Sequence, residues 1–129
     1  MQYMQPTLFP PVEPRAGTRA AHRLSATSSL QTTLHAFHTH MIEQDLSIHT
    51  IKAFDSDLRF LARFVGRGRS IGTICTSDLK AFLTYLRHER GVPCNPKSLA
   101  RRLMVLTDTS AWLAQDGVIP SDPATPLIH

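Results

Sequence analysis

Ser47-Ile48-His49-Thr50-Ile51-Lys52-Ala53-Phe54-Asp55-Ser56-Asp57-Leu58-Arg59-Phe60-Leu61-Ala62-Arg63-Phe64-Val65-Gly66 is the stretch that decides the fold. Ile51, Phe54, Leu58, Leu61 and Val65 recur at steps of 3, 4, 3 and 4, which puts them on one stripe of an α-helix. Ser47 offers an N-cap and Gly66 a C-terminal stop, so the spacing predicts a helix over 48–65. Upstream, Leu30, Leu34, Phe37 and Met41 follow at steps of 4, 3 and 4 and predict a helix over about 28–44. Downstream, a third helix is expected from Thr76, with Asp78 in its first turn, Leu79, Phe82, Leu83 and Leu86 inward, and Gly91 as its end. A fourth begins with Asn95 as N-cap and Pro96 at the first helical position, where a missing N–H costs nothing. Leu99, Leu103, Leu106 and Leu113 carry its helical spacing towards Gly117. No segment alternates with the period of a strand, so the domain is expected to be all-α.

At 129 residues there is room for one globular unit, and 42% hydrophobic residues suffice for a core. The longest aliphatic run, Leu103–Leu106, is far short of the ~18 residues of a bilayer span. The N-terminus lacks the basic start and apolar run of a secretory signal. The expected location is therefore the cytoplasm, with no membrane partner. Residues 1–26 hold four of the nine prolines and no sustained apolar period, and are expected to be a disordered tail. The folded domain is expected over 27–119, with 120–129 as a C-terminal linker.

Charge narrows the function. The formal net charge is +4, and 11 of the 14 basic residues are arginine, whose planar fork suits phosphate. Arg59, Arg63, Arg67 and Arg69 fall in a stretch without an acid, and Arg87–Arg102 holds five bases against Glu89. At 100° per residue, Lys52, Ser56, Arg59 and Arg63 lie within about 60° of arc, opposite the apolar stripe. A solvated polar face is the plain alternative; three bases, a serine and no acid favour a polyanion. The fourth helix presents Lys97, Ser98, Arg101 and Arg102 in its N-terminal turns, where the helix's own positive end points the same way. Two basic helix surfaces in one small bundle suit a duplex backbone and its major groove.

Other constellations carry less. Gly66-x-Gly68 follows a helix rather than a strand, against a phosphate loop. His35, His38 and His40 lack a third ligand on a common face, so no metal site is expected. Cys75 and Cys94 form no Cys-x-x-Cys pattern and are expected to be half-buried free thiols. Trp112 is expected in the core. Asp55 and Asp57 diverge by about 160° and cannot share a ligand; each is expected to be a surface charge or to pair with a neighbouring arginine.

A family resemblance rests on four motifs in order. Leu46-Ser47-Ile48-His49-Thr50-Ile51-Lys52-Ala53-Phe54-Asp55-Ser56-Asp57-Leu58 resembles the first signature of the core-binding, SAM-like N-terminal domain of tyrosine recombinases (phage integrases). Ile74-Cys75-Thr76-Ser77-Asp78-Leu79 with Phe82-Leu83 resembles that family's next helix start. Ser98-Leu99-Ala100-Arg101-Arg102-Leu103 through Trp112-Leu113, and then Gly117-Val118-Ile119 with Asp122-Pro123-Ala124, resemble its last helices and exit. The likeness covers about residues 28–127. It implies a four- to five-helix orthogonal bundle that forms half of a clamp around DNA, with the second and fourth helices facing the major groove. Thr107-Asp108 stands where a basic residue is usual, and Thr109 with Ser110 where bulkier ones are.

The resemblance also implies what to look for in a catalytic half: a nucleophilic tyrosine, arginines and a His-x-x-Arg motif. No histidine here is followed by arginine three positions on, Tyr3 lies in the expected tail and Tyr85 inside the third helix. The expectation is a non-enzymatic, cofactor-free DNA binder with no catalytic residue and no metal ligand. Its contacts are expected at His49, Thr50, Lys52, Ser56, Arg59, Lys97, Ser98, Arg101 and Arg102, with Arg63 and Arg67 adding attraction. Double-stranded DNA is the expected partner, with a separate catalytic domain or other recombinase protomers beside it. The rival readings are a helical protein-interaction module or a recombinase remnant without DNA binding, and, less favoured, a small helix-turn-helix regulator.

Overall fold

The computed structural model describes residues 24–89 and 95–128. Four helices follow in order: α1 (Leu30–Glu43), α2 (Ile48–Val65), α3 (Thr76–Thr84) and α4 (Pro96–Gln115). Short 3-10 turns at Ile71–Thr73 and Thr125–Ile128 and a π-helical turn at Tyr85–Glu89, which prolongs α3, complete the described elements. No strand occurs among the described residues; one isolated bridge joins Ser29 to Ser70. The described residues form the all-α domain that the apolar spacing predicts, with the four helices that the resemblance implies.

The caps explain where the helices start. Ser29, Ser47 and Asn95 accept hydrogen bonds from the backbone N–H groups of Thr32, Thr50 and Ser98, each relieving one orphan donor. At α3 the cap is Cys75, one residue before the expected Thr76, because the Asp78 carboxylate reaches back to accept the Cys75 N–H at 2.9 Å. Cys75 is thus exposed rather than half-buried, while Cys94 lies outside the described residues. The expected helix end at Gly91 also lies outside them.

The core takes Leu30, Phe37 and Met41 from α1, Ile51, Phe54, Leu58 and Leu61 from α2, Leu79 and Phe82 from α3, and Val105, Leu106, Trp112 and Leu113 from α4. On α2 the predicted stripe is buried, save that Val65 at its end is half-buried, and Asp57 and Ala62 are buried beside it. On α4 it is not. Val105, Leu106, Asp108, Thr109, Trp112 and Leu113 are buried, whereas Leu99 and Leu103 are only half-buried. The inward face is therefore turned by roughly a quarter of a turn from the leucine stripe. Of its polar members, Thr109 is tolerated because its Oγ1 donates to the Val105 carbonyl at 2.9 Å. An apolar cavity of about 30 Å³ opens beside Thr33 and beside Thr109 and Ser110, the two positions where the resemblance implies bulkier residues.

The glycine- and arginine-rich connector after α2 has a structural task. Leu30 and Gln31, at the start of α1, donate their N–H groups to the carbonyls of Arg69 and Arg67 at 2.7 and 3.0 Å. In return Ile71 and Gly72 donate to Ser28 and Ala26 at 2.7 and 2.8 Å. Gly72 is required by this approach, since a Cβ there would meet the Ala26 carbonyl oxygen at 2.9 Å. Arg69 then clamps the connector to α3, with Nη1 and Nη2 on the two oxygens of Asp78 at 3.0 and 3.1 Å.

Both ends of the packed unit reach into stretches expected to be unpacked. Leu24 lies against the core and Ala26 makes the bond just described, inside the stretch 1–26; residues 1–23 lie outside the described ones. Beyond Ile119, Ala124 is fully buried, Leu127 packs on the core, and Thr76 Oγ1 donates to the Pro123 carbonyl. No helix among the described residues is long and apolar enough to cross a membrane.

Candidate nucleic-acid interface

On α2 the predicted polar arc is open. His49, Lys52, Ser56, Arg59 and Arg63 are all exposed, with no acid among them. Arg59 Nε donates back to the Asp55 carbonyl at 3.3 Å, which holds the side chain along its own helix. Thr50, by contrast, is half-buried, and its hydroxyl accepts a hydrogen bond from Ser47 Oγ at 3.0 Å in the cap. On α4, Lys97 is exposed, and Ser98 is half-buried with its N–H on Asn95 Oδ1 at 2.8 Å.

Arg101 and Arg102 occupy the core-facing arc of α4, at its N-terminal end where the apolar core has run out. There they meet Asp57 of α2, whose carboxylate is 4% exposed. Arg101 donates from Nε and Nη2 to the two Asp57 oxygens at 3.2 and 3.0 Å, and Arg102 from Nε to one of them at 3.2 Å. A buried carboxylate is costly unless paired, and two guanidiniums supply that pairing. Although both arginines lie off the leucine stripe, they are presented unequally: the Arg101 side chain is 46% exposed, but that of Arg102 only 14%.

Phe60 is the seam between the two helices. The guanidinium carbons of Arg63 from α2 and Arg102 from α4 lie 5.6 and 5.5 Å from its ring centroid. Its edge meets Phe82 and Tyr85 at 5.5 and 6.2 Å, so α3 backs the seam. The polar arc of α2 is thus joined through Arg63, Phe60 and Arg102 to the arginines of α4. Among the described residues no hydrogen bond or ion pair joins Lys52, Ser56 or Arg59 to Lys97 or Ser98. Spacing on the α2 stripe missed Phe60, although a large apolar residue off the stripe is itself a signal of a second neighbour.

The remaining titratable groups are dispersed. His35 is exposed, His38 Nδ1 pairs with Asp55 Oδ2 at 2.7 Å, and His40 is buried against Phe37 and Trp112 with ring centroids 5.8 and 5.0 Å apart. The three histidines therefore face three different surroundings. Asp55 pairs with a histidine rather than an arginine, while Asp57 has its arginines from another helix. Burial holds the His40 imidazole below its ordinary value, against the opposing pull of Asp116. The Arg69 fork, helped by the Cys75 N–H, holds Asp78 down at about 2, and Arg69 is raised in return. Among the described residues no three His, Cys, Asp or Glu groups cluster as metal ligands do.

The described residues thus form a small all-α bundle whose second and fourth helices bring arginines to one seam. Residues 34–117 match the model of the phage integrase N-terminal SAM-like domain, and the chain belongs to that family. It is similar to the tyrosine recombinase XerC of Xanthomonas campestris pv. campestris (strain B100), with 31% identity over 126 residues, covering 95% of this chain and 38% of that protein. It is likewise similar to the tyrosine recombinase XerD of Listeria innocua serovar 6a, 29% identical over 89 residues, 67% of this chain and 29% of the relative. The XerC of Mycobacterium sp. (strain JLS) is 31% identical over 102 residues, 76% and 33% respectively. The chain thus spans less than two fifths of the length of these relatives. No solved structure matches it.

Proposed function

We propose that this chain grips duplex DNA as half of a clamp in site-specific recombination or integration, working in the cytoplasm with a catalytic domain or recombinase protomers as the other half. The observation that carries the reading is the exposed, acid-free arc of His49, Lys52, Ser56, Arg59 and Arg63, contiguous through Phe60 with the arginines of α4. A helix of this diameter enters the major groove, where Lys52 and Arg59 reach phosphates and His49 and Ser56 reach base edges. Lys97 and the open turn of α4 add backbone attraction. These 129 residues contribute no chemistry in this reading: Tyr85 packs edge-on to Phe60 and tilted against Phe64, and no His-x-x-Arg motif is present.

A duplex titration at several salt concentrations tests it. Phosphate neutralisation releases counterions, so log K should fall against log salt with a slope of roughly −3 to −5, and an isolated half-clamp should bind at about 10⁻⁴ to 10⁻⁶ M. Replacing Lys52 and Arg59 together by alanine should flatten the slope by roughly 2 while leaving the fold intact. Affinity equal to that of a neutral control at low salt would sink the DNA reading and promote the protein-interaction one.

A further inference from the structure

Where α2 crosses α4, one carboxylate serves two guanidiniums that are not equivalent. Arg102 is mostly covered and lies over Phe60, a packing role. Arg101 is nearly half exposed and gives Asp57 only Nε and Nη2; its Nη1 makes no hydrogen bond among the described residues. Lys97 stands four residues earlier on α4, which places it one turn away on the same face, and it is exposed. The three charges of Asp57, Arg101 and Arg102 sum to one net positive charge. A free arginine sweeps many rotamers, whereas a fork held on one edge has its other edge fixed in space.

We propose that Asp57 is a positioning residue for nucleic acid: it fixes the Arg101 fork so that the open edge, with Lys97 one turn away, seats a single phosphodiester of a DNA backbone. The inference rests on the duplex-binding reading above. It makes a prediction opposite in sign to simple charge counting. A carboxylate near a phosphate repels it, so deleting the Asp57 charge should tighten binding if Asp57 only dilutes the positive field. If Asp57 orients Arg101, the same deletion weakens binding.

Fluorescence anisotropy of a labelled duplex at low salt decides between them, with circular dichroism establishing that each variant is folded at the working temperature. Asp57→Asn is expected to weaken binding by about three- to tenfold, the loss of roughly one oriented charge-assisted contact. Arg101→Lys keeps both the charge and a contact to Asp57 but loses the fork, and the same loss is expected; this variant decides the matter if Asp57→Asn does not fold. Equal or tighter binding by the folded Asp57→Asn, or by Arg101→Lys where Asp57→Asn is unfolded, overturns the positioning role. Lys52→Ala separates the two readings, because Lys52 lies on the α2 arc outside the triad. Wild-type binding that Lys52→Ala weakens but the triad variants leave untouched overturns the positioning role alone; no wild-type binding overturns both.

Discussion

Arg59 and Arg102 carry the same charge, yet their removal should cost the fold different amounts. Arg59 is exposed and touches only a carbonyl of its own helix, so Arg59→Ala should be nearly neutral, within about 0.5 kcal/mol. Arg102→Ala strips one partner from a buried carboxylate and uncovers Phe60, at a cost of about 1–3 kcal/mol. Removing Arg101 as well leaves the Asp57 charge unpaired and should cost about 3–5 kcal/mol. Urea denaturation ranks the three variants. Two other residues set how stability follows pH. The His40 value is lowered in the folded state, so its contribution is full above about 6.5 and is lost as the pH falls below that. That of Asp78 is also lowered, so its contribution is full above the ordinary carboxylate range and is lost as the pH falls towards about 2. Thermal melts from pH 8 to 2 should therefore lose stability in two windows, with His40→Leu flattening the upper and Asp78→Asn the lower.

Among the elements, α2 and the connector after it show two kinds of constraint. Gly72→Ala pushes a methyl group into the Ala26 backbone rather than a flexible side chain, and should destabilise the domain by about 1–3 kcal/mol, measured by the urea midpoint. No sequence period announces that contact, because the pairing of 26–31 with 67–72 joins segments some forty residues apart without alternation. The helices themselves were legible because each signal is local: Ser47, Asn95 and the 3-4 spacing of α2 act within one or two turns. The phase of α4 was not. Its leucines invite one inward face, but Trp112, Val105 and a self-bonded Thr109 define another, and only the helices packed against α4 select between them. The candidate site was legible to the same extent. The open arc of α2 follows from the phase of its own stripe, whereas the arginines of α4 are aimed by Asp57, whose partners lie in a different helix.

For the whole molecule, the packing extends past Ile119 at least to Leu127, and this bears on how the chain could be joined to anything longer. Ala124 is fully buried, Leu127 lies on the core, and the Thr76 hydroxyl at the head of α3 is bonded to the Pro123 carbonyl. A domain fused after residue 129 would therefore depart from beside α3, with no slack between residues 120 and 127 to let it swing. Truncation after Pro120 removes one buried alanine, part of a leucine and one side-chain hydrogen bond. Together these should cost about 2–3 kcal/mol, at roughly 1 kcal/mol for the bond and the rest for the apolar surface. A domain of this size should then melt roughly 8–24 °C lower, at about 4–8 °C per kcal/mol near 100 residues. Thr76→Val should reproduce the hydrogen-bond share alone. If the truncated chain melts with the full-length one, residues 120–127 are only a tether, and a following domain would be free to close on DNA from a range of angles rather than from one.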